Sequence, residues 1–296
     1  QSPLPKTKFK KNFLSNSMSL LRLFIVDPYR SVPVRLVWGT QVLETKTDKD
    51  GFFKFEWTSS TLLEPGWHET KVEVTNGKYA GTYGEGKLLV PHPSQYAFIS
   101  DIDDTFLISH SSNLRKRLYM LLTKNARTRR PFEGVVKHYQ LLANGTDTTE
   151  QNPFFYVSSS EWNLYDYIKE FKRSYGIPEG VYLLNQMKKG LEFLKTGQGK
   201  HDGKYTRIVR VLKEFPHQKF IMLGDDTQRD PYIYAKIVED FPGRIICVYL
   251  RHVGKIKKPE VQQKADEIKK TGVDVLYFRK SDEAIAHSRQ IGLIPA

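Results

Sequence analysis

Asp101, Asp103 and Asp104 stand together in "YAFISDIDDTFL", with Thr105 directly after them and an apolar run directly before. Carboxylates this close repel one another. Any that are desolvated resist ionising unless a proton or a cation compensates. The cluster is therefore either a solvated turn or a place that holds something positive. Two acids one residue apart can also divide labour, one as nucleophile and the other as general acid and base. An EF-hand calcium loop is excluded, because Phe106 stands where that loop needs glycine.

Two further apolar runs end in chemistry-bearing residues. "KFIMLGDDTQRD" carries Asp225 and Asp226, with Asp230 beyond them, and "FFYVSSSEWN" ends in Ser158, Ser159 and Ser160. If these runs are neighbouring strands, their ends converge and bring several acids and a hydroxyl into one crevice. Acids from two distant segments are a usual way to hold Mg²⁺, which takes oxygen ligands and keeps waters for a phosphate substrate. A lone D-x-D-x-T carries little weight. Joined to a second strand that ends in GDD, it points to a divalent-metal phosphoryl site.

The elements that must position these residues change character along the chain. From about Leu21 to Val90 the sequence reads as short strands with turns: "RLFIV", "VRLVW", "ETKVEV" and "GKLLV". Asp50-Gly51 lies between apolar, aromatic-rich runs, a hairpin signal. No helical period appears there, so a small all-β sandwich is expected, ending near Pro93. After the prolines, six short apolar runs alternate with helical stretches such as "KYTRIVRVLKEF", whose Ile208, Val211, Leu212 and Phe215 share one face. That alternation predicts a mostly parallel sheet covered on both faces, with its chemistry beyond the carboxyl ends of the strands. The expected organisation is an extension over 1–17, the β-sandwich over 18–93 and an α/β domain over 94–296.

"DIDDT", the strand-end Ser158, a lysine before a helix and "GDDTQRD" resemble the four motifs of the haloacid dehalogenase superfamily of phosphohydrolases. "LLTKNARTRRPFEGVVKHYQLL", "YVSSSEWNLYDYI" and "FIMLGDDTQRDPYIYAKI" look like the catalytic domain of actin-patch-type phosphatidate phosphatases, relatives of the lipins. The likeness runs from about Gln95 to Val253, and "DKDGFFKFEW" and "GWHE" look like the β domain that precedes it in bacterial members. The resemblance implies a Rossmann-like three-layer fold with a minimal cap. It implies Asp101 as nucleophile, Asp103 as general acid and base, and Thr105 as the residue that fixes their turn. It implies Mg²⁺ on Asp101, the Asp103 carbonyl and Asp225, with Asp226 and Asp230 as direct or water-mediated candidates. Ser158 would bond a phosphoryl oxygen, and N–H groups after it would add an anion site if they open a helix. For the motif lysine, Lys204 is taken over Lys200, since it lies four before Ile208, the spacing the family shows.

The substrate is less directly written. "NLRKRLYMLLTKNARTRRPF" sets Arg115, Lys116, Arg117, Lys124, Arg127, Arg129 and Arg130 among leucines. That pattern suits a segment lying on an acidic membrane surface. It suits equally an ordinary amphipathic helix with its apolar face in the core. Arg127 and Arg129 are also candidates to grip the substrate phosphate. Ser159, Trp162 and Asn163 are candidate pocket residues, with a core role as the alternative for Trp162. The net charge of +13, from 46 basic and 33 acidic residues, suggests an anionic partner. No nucleic-acid-binding motif is recognised.

A Mg²⁺-dependent phosphatidate phosphatase is therefore expected, releasing diacylglycerol from phosphatidic acid. The rivals are a phosphatase of soluble or nucleic-acid phosphomonoesters, and a module that binds phosphatidate without cleaving it. Such modules have lost the acid pair that Asp101 and Asp103 supply here. No apolar run approaches the roughly 20 residues of a spanning helix, and residues 1–17 lack the apolar stretch of an uncleaved signal peptide. The chain begins at Gln1, which leaves trimming and processing both open. A cytoplasmic protein with peripheral membrane contact is the expected setting, with the periplasm as the alternative. The single cysteine, Cys247, lies in the apolar run "RIICVYL" and reads as an inert buried thiol.

Overall fold

The structure is a computed structural model that describes residues 28–60, 62–90, 96–102, 131–146, 151–185, 199–254 and 256–296. The strand expected at "RLFIV" and the basic stretch over 113–130 lie outside the described residues. The described residues fall into two compact units, one up to residue 90 and the other from residue 96 onward.

The first unit carries one four-stranded antiparallel sheet in the order β2-β1-β3-β4, built from β1 (Pro33–Trp38), β2 (Gln41–Lys46), β3 (Gly66–Val74) and β4 (Tyr83–Val90). Val34, Leu36 and Trp38 alternate along β1 and are buried, as a half-covered strand requires. The Asp50-Gly51 turn forms. Asp48 Oδ1 accepts the Asp50 and Phe52 N–H groups at 2.8 and 2.9 Å, and Gly51 takes the left-handed φ of 82°. The run after it does not become a strand. It is tied to β2 by the Gln41 amide, which donates to the Thr58 carbonyl and accepts from Ser60 N–H, both at 3.1 Å, in place of a backbone ladder.

The second unit is a six-stranded parallel sheet in the order β10-β9-β8-β5-β6-β7. Its strands are β5 (Tyr96–Ser100), β6 (Phe154–Glu161), β7 (Gly180–Asn185), β8 (Lys219–Asp225), β9 (Ile245–Arg251) and β10 (Asp274–Phe278). The helices are α1 (Val135–Asn144), α2 (Tyr165–Tyr175), α3 (Gly199–Glu214), α4 (Asp230–Asp240), α5 (Pro259–Lys269) and α6 (Ser281–Gln290). Phe220, Ile221 and Met222 are successive residues of β8 that point to opposite faces, and all are buried, so helices cover both sides. Helix α3 packs on β6 through Ile208, Val211 and Leu212, and Phe215, half-buried just past its end, meets Phe155 with ring centroids 5.2 Å apart. Cys247 is buried in β9, and burial pushes its thiol well above the ordinary range. The α/β fold and the all-β part before it are as the sequence predicts. No helix among the described residues is long and apolar enough to cross a membrane.

Candidate phosphoryl-transfer site

Strand order makes the site. β5 lies between β8 and β6, and its last residue, Ser100, pairs with Leu223 on one side and Tyr156 on the other. Asp101 follows at once and is anchored by its N–H to the Leu223 carbonyl at 2.9 Å. Asp225 lies two residues beyond Leu223, and Ser158 two beyond Tyr156. Three apolar runs far apart in sequence thus end side by side at the carboxyl edge of the sheet.

Asp101, Asp225 and Asp230 each offer a carboxylate oxygen within 4.8 Å of the other two, and all three residues are buried. Lys204, on α3, reaches into this group. Its Nζ lies 2.9 Å from Asp101 Oδ1 and also donates to Asp230 Oδ1. Gln228 Nε2 approaches Asp101 Oδ2 at 3.5 Å. The glycine of the GDD motif has a steric reason. A Cβ on Gly224 would stand 2.5 Å from Asp230 Oδ2 and 2.7 Å from the Tyr234 ring.

The electrostatics are unbalanced. Burial alone would lower the Lys204 ammonium, but Asp101 and Asp230 outweigh it and hold it above its ordinary value. Burial first, then Asp230, pushes Asp225 up to about 7, against donation from the Thr227 N–H and hydroxyl, each 2.5 Å from Oδ1. Among the described residues, the Asp101, Asp225 and Asp230 carboxylates gather about the Lys204 ammonium, with the Arg207 guanidinium as a second, more distant cation. Asp230 Oδ2 is buried with no hydrogen-bond partner among the described residues. An all-oxygen donor set with surplus negative charge and an unsatisfied buried oxygen fits a hard divalent cation.

Asp226 is not brought into this group. Its carboxylate turns towards β9 and β10, where Oδ2 receives His252 Nδ1 and the Tyr277 hydroxyl at 2.6 Å each and Oδ1 receives Val253 N–H at 3.1 Å. Burial would raise it, but the bonds from His252 and Tyr277 prevail and hold it below the usual carboxylate value. Neighbouring residues at a strand end point opposite ways, and that alone separates Asp225 from Asp226.

Ser158 is buried at the end of β6. The residues after it do not open a helix. Ser159–Glu161 continue the strand through an irregular register with β7, and a 3₁₀ turn at Trp162–Leu164 precedes α2. Ser159 and Trp162 are half-buried, while Asn163 is fully buried. Asp103, Asp104, Thr105, Arg127 and Arg129 lie outside the described residues, and so does the Lys200 side chain.

Sequence reasoning missed Arg207. It sits one turn after Lys204, where its guanidinium donates to the Ser158 carbonyl at 3.1 Å and to Asn185 Oδ1 at 3.4 Å. Burial lowers it and Asp101 opposes that, so it stands within the field of the acids. Its place three residues after Lys204 on an amphipathic helix was the available signal. Ser100 and Tyr139 were missed too. Their hydroxyls meet at 2.8 Å, and Ser100 donates to the Asp101 carbonyl at 2.7 Å, which ties the Asp101 backbone to α1. A carboxylate backed by an ammonium, beside an oxygen-rich cation site, can attack a phosphoryl group while its surroundings offset the charge.

The family described as Phosphatidate phosphatase APP1, catalytic domain, matches residues 96–252. The chain is 27% identical over 216 residues to Phosphatidate phosphatase APP1 of Saccharomyces cerevisiae, covering 72% of this chain and 33% of that protein. It is 24% identical over 162 residues to an uncharacterized protein of Schizosaccharomyces pombe, covering 53% of this chain and 25% of that one. The matched regions thus span a third or less of these curated relatives. The family match takes in the strand-end acids, Ser158, Lys204 and Arg207, and it covers more than half of the 296 residues: the chain belongs to the family of the phosphatidate phosphatase APP1 catalytic domain.

Proposed function

We propose that this chain is a Mg²⁺-dependent phosphatidate phosphatase that converts phosphatidic acid to diacylglycerol and phosphate through an aspartyl-phosphate on Asp101. The observation that carries the reading is the buried Asp101 held against Lys204 beside two further acids, in a chain of this family. An Asp101 oxygen attacks phosphorus and the ester P–O bond breaks. Asp103 gives its proton to the departing alkoxide, then takes one from the water that splits the acyl-phosphate. Thr105 fixes the turn that carries Asp103. Lys204 orients the Asp101 carboxylate and offsets the phosphoryl charge.

Asp101, the Asp103 carbonyl, Asp225 and Asp230 would hold Mg²⁺, which, when bound, neutralises charge on the nucleophile and the phosphate. Asp226, in this reading, braces Asp225 rather than binding the ion. Ser158 bonds a phosphoryl oxygen, and Arg207 adds a second cation behind it. Ser159, Trp162, Arg127 and Arg129 serve the headgroup side. Residues 18–93 form a separate β domain and 94–296 the catalytic one. The enzyme meets its substrate by peripheral contact with an acidic bilayer.

The test is phosphate release from phosphatidic acid in mixed micelles, beside a water-soluble phosphomonoester. Release should need Mg²⁺, vanish in EDTA and in Asp101→Asn, rise with the surface fraction of phosphatidate, and favour the lipid. Turnover of the soluble ester alone would discard the lipid substrate. Turnover that survives Asp101→Asn would discard the nucleophile.

A further inference from the structure

Among the described residues on the same edge of the sheet as the candidate site, the most exposed large apolar side chain belongs to the loop after β9. Ile256 is 84% exposed, and it sits in the loop that joins the carboxyl end of β9 to α5. Lys255, Lys257 and Lys258 flank it in sequence. Arg279 and Lys280 are exposed at the carboxyl end of the adjacent strand β10, and the Arg279 guanidinium reaches the Gly254 carbonyl at 3.2 Å.

Both feet of this loop are held. Its first foot is held by His252 and Val253, both bonded to the Asp226 carboxylate. Its second foot is Lys258, whose Nζ donates to the Asp226 carbonyl and whose N–H lies 3.2 Å from the Tyr277 hydroxyl. Lys257 Nζ donates to the Tyr277 carbonyl at 2.7 Å, and Pro259 then starts α5. So two pinned feet present Ile256 from a base that begins one residue after Asp225, with Lys257, Arg279 and Lys280 exposed on the same edge of the sheet. A single exposed apolar residue needs no explanation by itself. An exposed apolar tip with exposed cations beside it in sequence and at the end of the next strand, on the edge of the candidate site, is complementary to an anionic bilayer, with acyl chains for the tip and headgroups for the cations.

We infer that the Ile256–Lys258 end of this loop is a bilayer-docking foot: Ile256 enters the acyl boundary, and the exposed Lys257, Arg279 and Lys280 meet anionic headgroups. The inference deepens the phosphatidate reading and rests on it for the surface the enzyme visits, but its test does not use turnover.

Cys247 is the sole native cysteine and is buried, so Ile256→Cys gives one reactive thiol for a polarity-sensitive dye. Lys270→Cys, exposed at the opposite edge of the sheet, is the control. With vesicles of phosphatidylcholine and phosphatidylserine in equal parts, without phosphatidate or Mg²⁺, the dye at 256 should shift to the blue and the dye at 270 should not. In sedimentation with the same vesicles, Ile256→Glu should bind about tenfold weaker or worse than the unmodified chain. Its hydrolysis of a soluble phosphomonoester should be unchanged.

Co-sedimentation with the dye at 256 still in water would overturn the inference, as would equal binding by Ile256→Glu or no binding by either. Docking through Ile256 without any phosphate release from phosphatidate would support the foot while sinking the substrate.

Discussion

Asp225 should report the charge imbalance of the metal-free site through stability. Burial first, and Asp230 second, lift it from 3.8 to about 7. Between those values the folded state keeps a proton that the unfolded state has released, so unfolding free energy falls as pH rises. The penalty is absent below about 3.8 and complete above about 7. At 1.36 kcal/mol for each tenfold, the gap amounts to about 4 kcal/mol, and full burial leaves no solvent to screen it. Asp225→Asn removes the charge and keeps an oxygen for the Thr227 N–H and hydroxyl.

In EDTA at pH 8 the variant should therefore melt above the unmodified chain by about 8–16 °C, at about 2–4 °C per kcal/mol for a domain of this size. The difference should shrink steadily as pH falls towards 4. On the proposed site, saturating Mg²⁺ should reverse the order, because the ion would draw on the Asp225 carboxylate, and phosphate release should drop by at least about tenfold. The assay is thermal unfolding across pH with and without the ion. Equal melting in EDTA at pH 8, or a difference that ignores pH, would refute the reasoning.

Two more outcomes separate the acids from one another. Asp226→Ala leaves His252, Tyr277 and the Val253 N–H facing an emptied site and should cost about 3–5 kcal/mol in urea unfolding, whereas Asp101→Asn should keep its midpoint near that of the unmodified chain. A midpoint for Asp226→Ala equal to that of Asp101→Asn would show that the clamp is not structural. Gly224→Ala drives a Cβ into Asp230 and Tyr234. It should cost about 1–3 kcal/mol and weaken Mg²⁺ binding in a calorimetric titration. Unchanged Mg²⁺ affinity would remove Asp230 from the ion's partners.

Local apolar pattern was enough to place the strands of the parallel sheet. "YAFIS", "FFYV" and "KFIML" are short apolar runs with helical stretches between them, and a parallel sheet buried on both faces requires that pattern. It also determined that Asp101, Ser158 and Asp225 fall at carboxyl ends, since each directly follows its run. Local pattern misjudged the run after Asp50-Gly51, where turn chemistry was right but the Gln41 amide took the place of a ladder.

Which acids lie side by side was not legible in local pattern and follows from the packing of the strands. Spacing treats Asp225 and Asp226 alike, yet one backbone step turns the first towards Asp101 and the second towards His252 and Tyr277. Packing also decided that Lys204 lies between Asp101 and Asp230, and that Arg207 stands behind Ser158. These contacts join residues that periodicity leaves unrelated, because strand order β8-β5-β6 is set by packing over the whole sheet and not by any local run. The exposure of Ile256 is of the same kind. Its apolar type is in the sequence, but that it stays outside the core is a property of the fold.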